Sequence, residues 1–340
     1  MNVLGIETSC DETSVGIIAD GKLKANLIAS QDFHTKYGGV VPELSSRAHL
    51  QIITPLLKDA LKRAELDIND IDVICATAGP GLIGALLVGL TFAKGLAYSL
   101  DKSFVAVNHI EGHIFSGFLM EEKPEFPYLC LVVSGGHTLL LLVEDELKIR
   151  KLGTTVDDAA GEAFDKVAKM IGLGYPGGPK IQQYAEKGDE NAIKFPVSRL
   201  ENPYDFSFSG LKTAVLRHLQ KEYGIELNIP DSELPDLTAS FQKAVSKSLL
   251  NKIELACKEY NVTCISMVGG VAANEYIKNR LLALGNKLKK KVIIPKLEFC
   301  GDNAAMIAYR GSILCKNNIL HDYNVSAFPS LRGDEFILSE

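Results

Sequence analysis

The sequence predicts an α/β protein made of two similar lobes, and the order of its elements carries that prediction. Each half begins with a strand, a short polar turn and a second strand, and each later contains a strand, a glycine-rich turn and a helix. The chain of 340 residues is long enough for two such domains. We therefore place one lobe at residues 1–125 and the other at 126–340, with the final helix expected to pack back on the first lobe.

Hydrophobic runs and turn residues locate the individual elements. In the first half, we expect strands at 3–8, 14–19, 22–30, 71–78 and 104–107, and helices at 45–64, 82–99 and from 109. Ser45 or Ser46 is the predicted cap of the first helix. In the second half, we expect strands at 128–133, 138–144, 147–152, 263–268 and 292–294, and helices at 159–171, 179–187, 210–222, 234–260, after 274 and at 303–314.

Four polar or glycine-rich turns recur at corresponding places in the two halves, at residues 9–13, 79–81, 134–137 and 269–274. A turn of this kind before a helix presents backbone N–H groups to an anion. One such turn is common, but four in symmetric positions indicate two lobes that clamp a nucleotide. That is the plan of actin, hexokinase and Hsp70, so the residues alone predict an actin-like fold with two RNase H-like lobes around a nucleotide cleft.

Residues 108–113, which read Asn-His-Ile-Glu-Gly-His, follow an apolar run and contain two histidines four positions apart. On a helix, His109 and His113 would share one face, a spacing that suits two imidazoles on one metal ion. Two ordinary surface or capping histidines remain the alternative, although Asp302 could return a carboxylate to the same place. Glu111 lies about 200° round the helix from His109, so the general base of a zinc protease is missing.

The bulk composition narrows the class of protein and its compartment. A formal net charge of −6 excludes a global positive field that attracts nucleic acid. Seven cysteines without a C-x-x-C pair indicate a reducing cytoplasm. No signal peptide is expected, because acidic residues interrupt the N-terminal stretch. The charge-free stretch 73–93 has the length of a membrane span, but its Gly-Pro-Gly turn predicts a strand and a helix, and no membrane association is expected.

Motifs over nearly the whole chain resemble the TsaD family, which was earlier named O-sialoglycoprotein endopeptidase (Gcp) and whose archaeal and eukaryotic members belong to the KEOPS complex. The matching stretches are 5–13 (GIETSCDET), 79–81 (GPG), 108–113 (NHIEGH), 133–138 (VSGGHT), 161–166 (GEAFDK), 175–179 (YPGGP), 206–213 (FSFSGLKT) and 269–274 (GGVAAN). The length and the lack of a fused kinase resemble bacterial members.

The resemblance implies transfer of a threonylcarbamoyl group from threonylcarbamoyl-AMP to N6 of the adenosine 3′ of the anticodon, in tRNAs that read ANN codons. It implies one divalent metal per subunit, Fe²⁺ first and Zn²⁺ as the alternative, on His109, His113 and Asp302. A TsaB-type paralogue and a TsaE-type ATPase are the implied bacterial partners. The adenylate-binding residues that the resemblance implies are Val132, Val133, Ser134, Gly135, Gly136, Asp165, Gly178 and Asn274.

Other readings of these residues stay open. Asp165 could accept ribose hydroxyls or pair with Lys169 one helical turn away. Gly178 could admit a ribose or form a plain turn, and Asn274 could cap a helix while contacting nucleotide. Many family members have an acidic residue where this chain has Gln182.

Asp11 and Glu12, in the first turn, are the candidates that take the proton from the attacking adenine amine. Exposed turns are also often acidic for solubility alone. The candidate tRNA contacts are the basic residues Arg47, Lys194, Arg199, Lys212, Arg217, Lys243, Lys247, Lys287, Lys289, Lys290 and Lys291.

Two other classes of function compete with the tRNA-modifying enzyme. An actin-like ATPase or small-molecule kinase would share the fold and the glycine turns but would not need the histidine pair. A non-catalytic dimerisation scaffold would keep the fold with a dead site, and retention of both histidines, Asp302 and all four turns argues against it.

Overall fold

The computed structural model describes residues 1–331 and divides the chain into two compact units. The first unit combines Met1–Lys123 with the segment from Pro295 onward, and the second is Pro124–Ile294. The chain thus returns to the first unit at Pro295, whereas the sequence analysis placed all of 126–340 in the second lobe and let only a final helix pack back. Residues 332–340 of that predicted lobe lie outside the described part.

The first unit holds a five-stranded sheet with the order β3-β2-β1-β4-β5. β1, β2 and β3 are antiparallel neighbours, while β4 and β5 run parallel to β1. The strands are β1 (Asn2–Glu7), β2 (Glu12–Ala19), β3 (Lys22–Ser30), β4 (Val73–Gly79) and β5 (Ser103–Asn108). The helices of this unit are α1 (Pro42–Ala64), α2 (Ile83–Leu100), α3 (His109–Ser116), α9 (Leu297–Cys300) and α10 (Ala304–Lys316).

The second unit repeats this plan with the order β10-β9-β6-β7-β8. β6, β7 and β8 are antiparallel, and β9 and β10 are parallel to β6. Its strands are β6 (Tyr128–Val133), β7 (Thr138–Val143), β8 (Ile149–Thr154), β9 (Cys264–Val268) and β10 (Lys291–Ile293). Its helices are α4 (Ala160–Met170), α5 (Gly177–Ala185), α6 (Ser209–Tyr223), α7 (Leu234–Glu259) and α8 (Glu275–Leu288). The predicted duplication of plan is confirmed.

Alternation along β1 directs its side chains to two separate cores. Leu4 and Ile6 pack on the face covered by α1 and α2, while Val3 lies on the face covered by α10. On that second face, a Cβ at Gly5 would lie 2.5 Å from the carbonyl oxygen of Ala304. A glycine at this position therefore lets α10 begin directly on the sheet.

Helix α1 begins earlier than the sequence predicts, whereas β4 and α2 agree with the prediction. α1 begins at Pro42, three residues before Ser45, because proline has the φ angle of a first helical turn and its missing N–H is not needed there. Ser45 is instead buried and donates to the Cys10 carbonyl oxygen. The predicted strand and helix in 73–93 are confirmed as β4 and α2.

Helix α2 is the one helix within residues 1–331 whose length and apolar composition would suffice to cross a membrane. A core helix in a folded domain can have the same composition. Here α2 packs against β4 and α1 with Leu86 and Leu90 buried, while 33% of its residues are buried in all.

Candidate functional site

The histidine helix begins directly where β5 ends. Asn108 caps α3, since its side-chain oxygen accepts the N–H of Ile110 at 2.9 Å. His109 and His113 follow on one face, with ring centroids 4.7 Å apart. His109 is 5% exposed and His113 is not exposed at all. The predicted helix and shared face are confirmed, and burial excludes two ordinary surface histidines.

Asp302 reaches the same place from the far end of the unit's sequence. It lies between α9 and α10, where Asn303 caps α10 by accepting the N–H of Met306 at 3.0 Å. The N–H of Ala304 donates to the Ser14 hydroxyl at 2.8 Å, which fixes the start of α10 against β2. These bonds hold the Asp302 carboxylate in a defined position beside the sheet.

Three candidate ligand groups converge at this point. Asp302 Oδ1 is 3.1 Å from His113 Nε2 and 3.5 Å from His109 Nε2. One ligand atom from each residue lies within 4.8 Å of the others. Two imidazole nitrogens and one carboxylate oxygen form a donor set that suits Zn²⁺ and Fe²⁺ and leaves positions for a further ligand.

The electrostatics of the pocket favour a positive charge. Burial lowers the pKa of His109, but the charges of Asp302 and Glu7 outweigh burial and raise that pKa to about 9. Two carboxylates beside the buried imidazoles also suit a divalent cation, so the residues present fit a metal site.

Glu7, which the sequence analysis treated as part of a strand, is a further member of this cluster. Its carboxylate is completely buried at the end of β1 and accepts from the Ser9 N–H at 2.5 Å and the Thr77 hydroxyl at 2.5 Å. Its second oxygen is 3.1 Å from His109 Nδ1. Burial raises the pKa of Glu7, but the charge and the hydrogen bond of His109 outweigh burial, so the pKa lies below its ordinary value. The signal in the sequence was a lone charge inside an apolar run.

Glu111 points away from the histidine nitrogens, as the helical spacing predicted. Its carboxylate forms an ion pair at 2.6 Å with Arg310 of α10, and neither side chain is exposed. The Arg310 guanidinium also lies over the Phe115 ring, 4.4 Å from its centroid. Glu111 is therefore a structural partner of Arg310, a residue that the sequence analysis did not single out.

Asp11 and Glu12 lie at the turn into β2, and Glu12 opens that strand. Burial, followed by the charges of Asp302 and Asp11, raises the pKa of Glu12 to about 9. The charge of Asp302 thus acts on Glu12, one of the two candidate proton acceptors, and Asp11 precedes it in the same turn.

The turn at residues 79–81 does not present all its N–H groups to an anion, contrary to the prediction. The N–H of Gly81 donates to the Pro329 carbonyl oxygen at 3.3 Å, and the N–H of Leu82 donates to the Ser9 carbonyl oxygen at 2.8 Å. A later segment of the chain runs alongside, with the Phe328 N–H bonded to Ala78 at 3.0 Å. No feature of the sequence indicated that this segment would occupy the turn.

In the second unit, residues 132–136 of the predicted adenylate-binding set lie at the carboxyl end of β6, which pairs with β9. Val132 and Val133 end β6, and Val132 pairs in parallel with Val268 of β9. In the turn that follows, the Ser134 N–H donates to the His137 carbonyl oxygen at 2.8 Å. Ligands of α/β sheets bind outside the carboxyl ends of parallel strands, and this edge has that position, which suits a nucleotide.

Two further predicted residues, Asp165 and Asn274, accept backbone hydrogen bonds at the starts of helices in this unit. Asp165 on α4 accepts the Gly177 N–H at 2.7 Å, so its observed partner is the start of α5 and not Lys169. Burial raises the pKa of Asp165. Asn274 caps α8 through the Ile277 N–H at 3.0 Å, which confirms the predicted cap.

Neighbouring positions on α5 differ sharply in available space. A Cβ at Gly177 would lie 2.6 Å from the Phe164 carbonyl oxygen, whereas a Cβ at Gly178 would meet no heavy atom within 4 Å. Gln182, one turn further, accepts the Glu275 N–H at 2.9 Å with its side-chain oxygen. The amide in place of the acidic residue therefore links α5 to the first turn of α8.

Several of the basic residues predicted to contact tRNA already hold acidic or carbonyl partners. Lys287 pairs with Glu254 at 2.8 Å, and Lys290 donates to the Val262 carbonyl oxygen at 2.6 Å. Lys212 pairs with Asp158 at 2.7 Å. The ion pairs of Lys287 and Lys212 offset the charge that these two lysines offer to phosphate, and the Lys290 bond occupies one of its donors.

Comparison with known proteins identifies close relatives. The family model described as TsaD, tRNA N6-adenosine threonylcarbamoyltransferase, matches residues 22–309. A protein of that name from Thermosipho africanus is 52% identical over 98% of this chain and 100% of its own length. The one from Kosmotoga olearia is 50% identical over 97% and 98%. The one from Symbiobacterium thermophilum is 47% identical over 97% and 96%.

Solved structures share the fold at low sequence identity. HypF from T. kodakarensis aligns with a TM-score of 0.65 and 16% identity over 93% of this chain and 48% of its own. The activator of 2-hydroxyisocaproyl-CoA dehydratase from Clostridium difficile aligns with a TM-score of 0.54 and 17% identity over 94% and 97%. These likenesses confirm the actin-like fold. The identities with the three named transferases do not favour an ATPase or kinase, and the chain belongs to the TsaD family of tRNA N6-adenosine threonylcarbamoyltransferases.

Proposed function

We propose that this chain moves the threonylcarbamoyl group of threonylcarbamoyl-AMP to N6 of the adenosine 3′ of the anticodon, in tRNAs that read ANN codons. Family membership makes the chain a tRNA-modifying acyltransferase. The donor and the position within tRNA are what the proposal adds. Its main structural support is the convergence of His109, His113 and Asp302 in one buried cluster.

The same three residues would hold one divalent metal per subunit, with Fe²⁺ favoured and Zn²⁺ the alternative. When bound, such a metal supplies Lewis-acid polarisation and a template for the donor. Glu7 and Asp302 bring two negative charges to the pocket, which balance a dication. Burial of His109 and His113 keeps bulk water from these ligands.

The residues of the chain divide the remaining work. The adenylate would be held at the carboxyl edge of β6 and β9 by the substrate-binding set, which consists of Val132–Gly136, Asp165, Gly178 and Asn274. During transfer, the adenine N6 attacks the carbamoyl carbon, a new N–C bond forms, and the bond to the AMP phosphate oxygen breaks. Asp11, or Glu12 in its ionised form, would take the proton that N6 loses, and AMP leaves with the bonding electron pair.

A net charge of −6 supports dependence on partners for tRNA binding. We propose a TsaB-type paralogue and a TsaE-type ATPase as those partners. We place the reaction in the cytoplasm, where free cysteines stay reduced. The proposed metal ligands lie in the first unit and the proposed adenylate residues in the second.

Reconstitution tests this function directly. The chain, its two partners, threonylcarbamoyl-AMP and a tRNA reading an ANN codon should yield threonylcarbamoyladenosine in the digested tRNA, measured by mass spectrometry. A matched tRNA with guanosine 3′ of the anticodon should yield none. ATP hydrolysis by the chain without any modified nucleoside would instead favour the actin-like ATPase.

A further inference from the structure

We infer that Glu7 is the positioning residue that fixes the ring of His109 and keeps its Nε2 free for the metal. The inference rests on the proposed metal site. It concerns a residue outside the ligand set, which touches neither the metal nor the substrate in the proposed arrangement.

Hydrogen bonds from several elements hold the buried carboxylate of Glu7 in place. A buried carboxylate costs several kcal/mol unless its oxygens receive hydrogen bonds. Glu7 receives them from three separate parts of the first unit: the Ser9 N–H after β1, the Thr77 hydroxyl on β4 and His109 on α3. Two of these donors tie Glu7 to the sheet, so the carboxylate is a fixed point against which His109 is held.

The hydrogen bond to Glu7 determines which ring nitrogen of His109 is free. With Nδ1–H donating to Glu7 at 3.1 Å, the lone pair of the neutral ring lies on Nε2. That nitrogen faces the converging group, 3.5 Å from Asp302 Oδ1. A carboxylate on the outer nitrogen of a ligating histidine sets its tautomer and raises its basicity, and losing such a partner costs 10- to 100-fold in metal affinity.

The two histidines differ in their outer partners. Among the described residues, His113 Nδ1 is buried without a hydrogen-bond partner, whereas His109 Nδ1 has Glu7 and also the Ser9 hydroxyl at 3.2 Å. His109 is therefore the ligand whose orientation is fixed by a partner outside the ligand set, and Glu7 is the charged group that fixes it.

Replacement by glutamine has a specific expected effect. The amide oxygen of Gln can still accept the Ser9 N–H, which directs its NH₂ group toward His109. Two donors would then face each other, and His109 relieves the conflict by moving its proton to Nε2. Nε2 must lose that proton before it can bind metal. Glu7→Gln should thus weaken metal binding because it changes the tautomer of His109, although His109 itself is not replaced.

Competitive titration with Zn²⁺ on metal-stripped full-length protein tests this inference. We expect Glu7→Gln to raise the Zn²⁺ dissociation constant 10- to 100-fold. The matched control is Glu111→Gln, which alters the fully buried carboxylate on α3 itself but keeps an oxygen that can accept from Arg310, and it should leave the constant within about two-fold. A Glu7→Gln constant within three-fold of wild type overturns the inference. Wild-type protein that binds no Zn²⁺ overturns the metal site itself, which separates the two failures.

A second measurement needs no variant and therefore holds even if Glu7→Gln does not fold. In zinc-loaded wild type, ¹⁵N-resolved NMR of the histidine rings should show a proton on His109 Nδ1, with Nε2 shifted by the metal. Metal on Nδ1 and a proton on Nε2 would overturn the inference, whatever the titration gives.

Discussion

Glu111 of α3 and Arg310 of α10 form an ion pair at 2.6 Å in which neither side chain is exposed. α3 carries both histidines of the candidate metal site, and α10 begins two residues after Asp302. The pair therefore joins the two elements that bring the three ligands together. Glu111 therefore serves as the partner of Arg310 and not as the general base that a glutamate near two histidines provides in a zinc protease.

The buried pair makes a prediction about stability. Arg310→Met leaves the Glu111 carboxylate buried without its partner, which should cost about 3–5 kcal/mol of unfolding free energy. Urea denaturation followed by circular dichroism measures the loss. The double variant Glu111→Leu with Arg310→Met removes both charges and should recover most of it. Equal losses in the single and double variants would show that the ion pair itself matters little.

Neighbouring glycines on α5 provide a matched pair for the proposed adenylate site. Gly177→Ala should destabilise the protein, because its Cβ would lie 2.6 Å from the Phe164 carbonyl oxygen. Gly178→Ala has open space around its Cβ and should leave the melting temperature unchanged. If the adenylate lies against Gly178, the same variant should weaken AMP binding at least several-fold in calorimetry. Unchanged AMP affinity would remove Gly178 from the site.

How far the sequence predicts this site depends on the kind of signal. His109 and His113 could be paired because helical spacing alone puts residues four apart on one face. Asp302 is 189 residues from His113, so the residues alone could only suggest that its carboxylate returns to the same place, and the family resemblance was needed to assign it as a ligand. Glu7 and Arg310 went unnoticed, because a single charge inside an apolar strand or helix does not reveal which partner neutralises it.

The fold shows the same division. The duplicated plan of the two halves followed from the repeated pattern of strands and glycine turns, since the two halves use the same local signals. The occupation of the turn at 79–81 by Pro329 could not be predicted, because it depends on where the chain runs after α10. The start of α1 at Pro42 was missed because serine caps and an N1 proline compete as signals only three residues apart.

The buried His49 predicts a pH dependence of stability. Thr13 bonds to His49 Nδ1 at 2.7 Å, and burial lowers the pKa of this histidine below its ordinary value. A lowered pKa means that the unfolded chain binds a proton more readily, so this stabilising contribution is full above about pH 6.5 and declines as the pH falls. Wild type should lose more unfolding free energy between pH 7.5 and 5.5 than His49→Gln does. Identical losses would contradict this.

The acidic charge of the chain predicts weak tRNA binding alone and tighter binding with partners. Replacing Lys287, Lys289, Lys290 and Lys291 with glutamine should flatten the plot of log affinity against log salt. The expected change is about 0.7 to 0.9 for each lost phosphate contact. Lys22→Gln with Lys24→Gln on β3 is the control and should leave the slope unchanged. If the four-lysine variant also leaves it unchanged, this cluster is only a solvated face.

The most direct measurement combines metal content with product formation in the reconstituted reaction. His109→Ala, His113→Ala and Asp302→Ala should each keep the wild-type circular dichroism spectrum, lose bound metal in elemental analysis and form no threonylcarbamoyladenosine. Full metal occupancy in all three variants, together with wild-type yields of modified tRNA, would contradict the assignment of these residues to a metal-dependent transferase site.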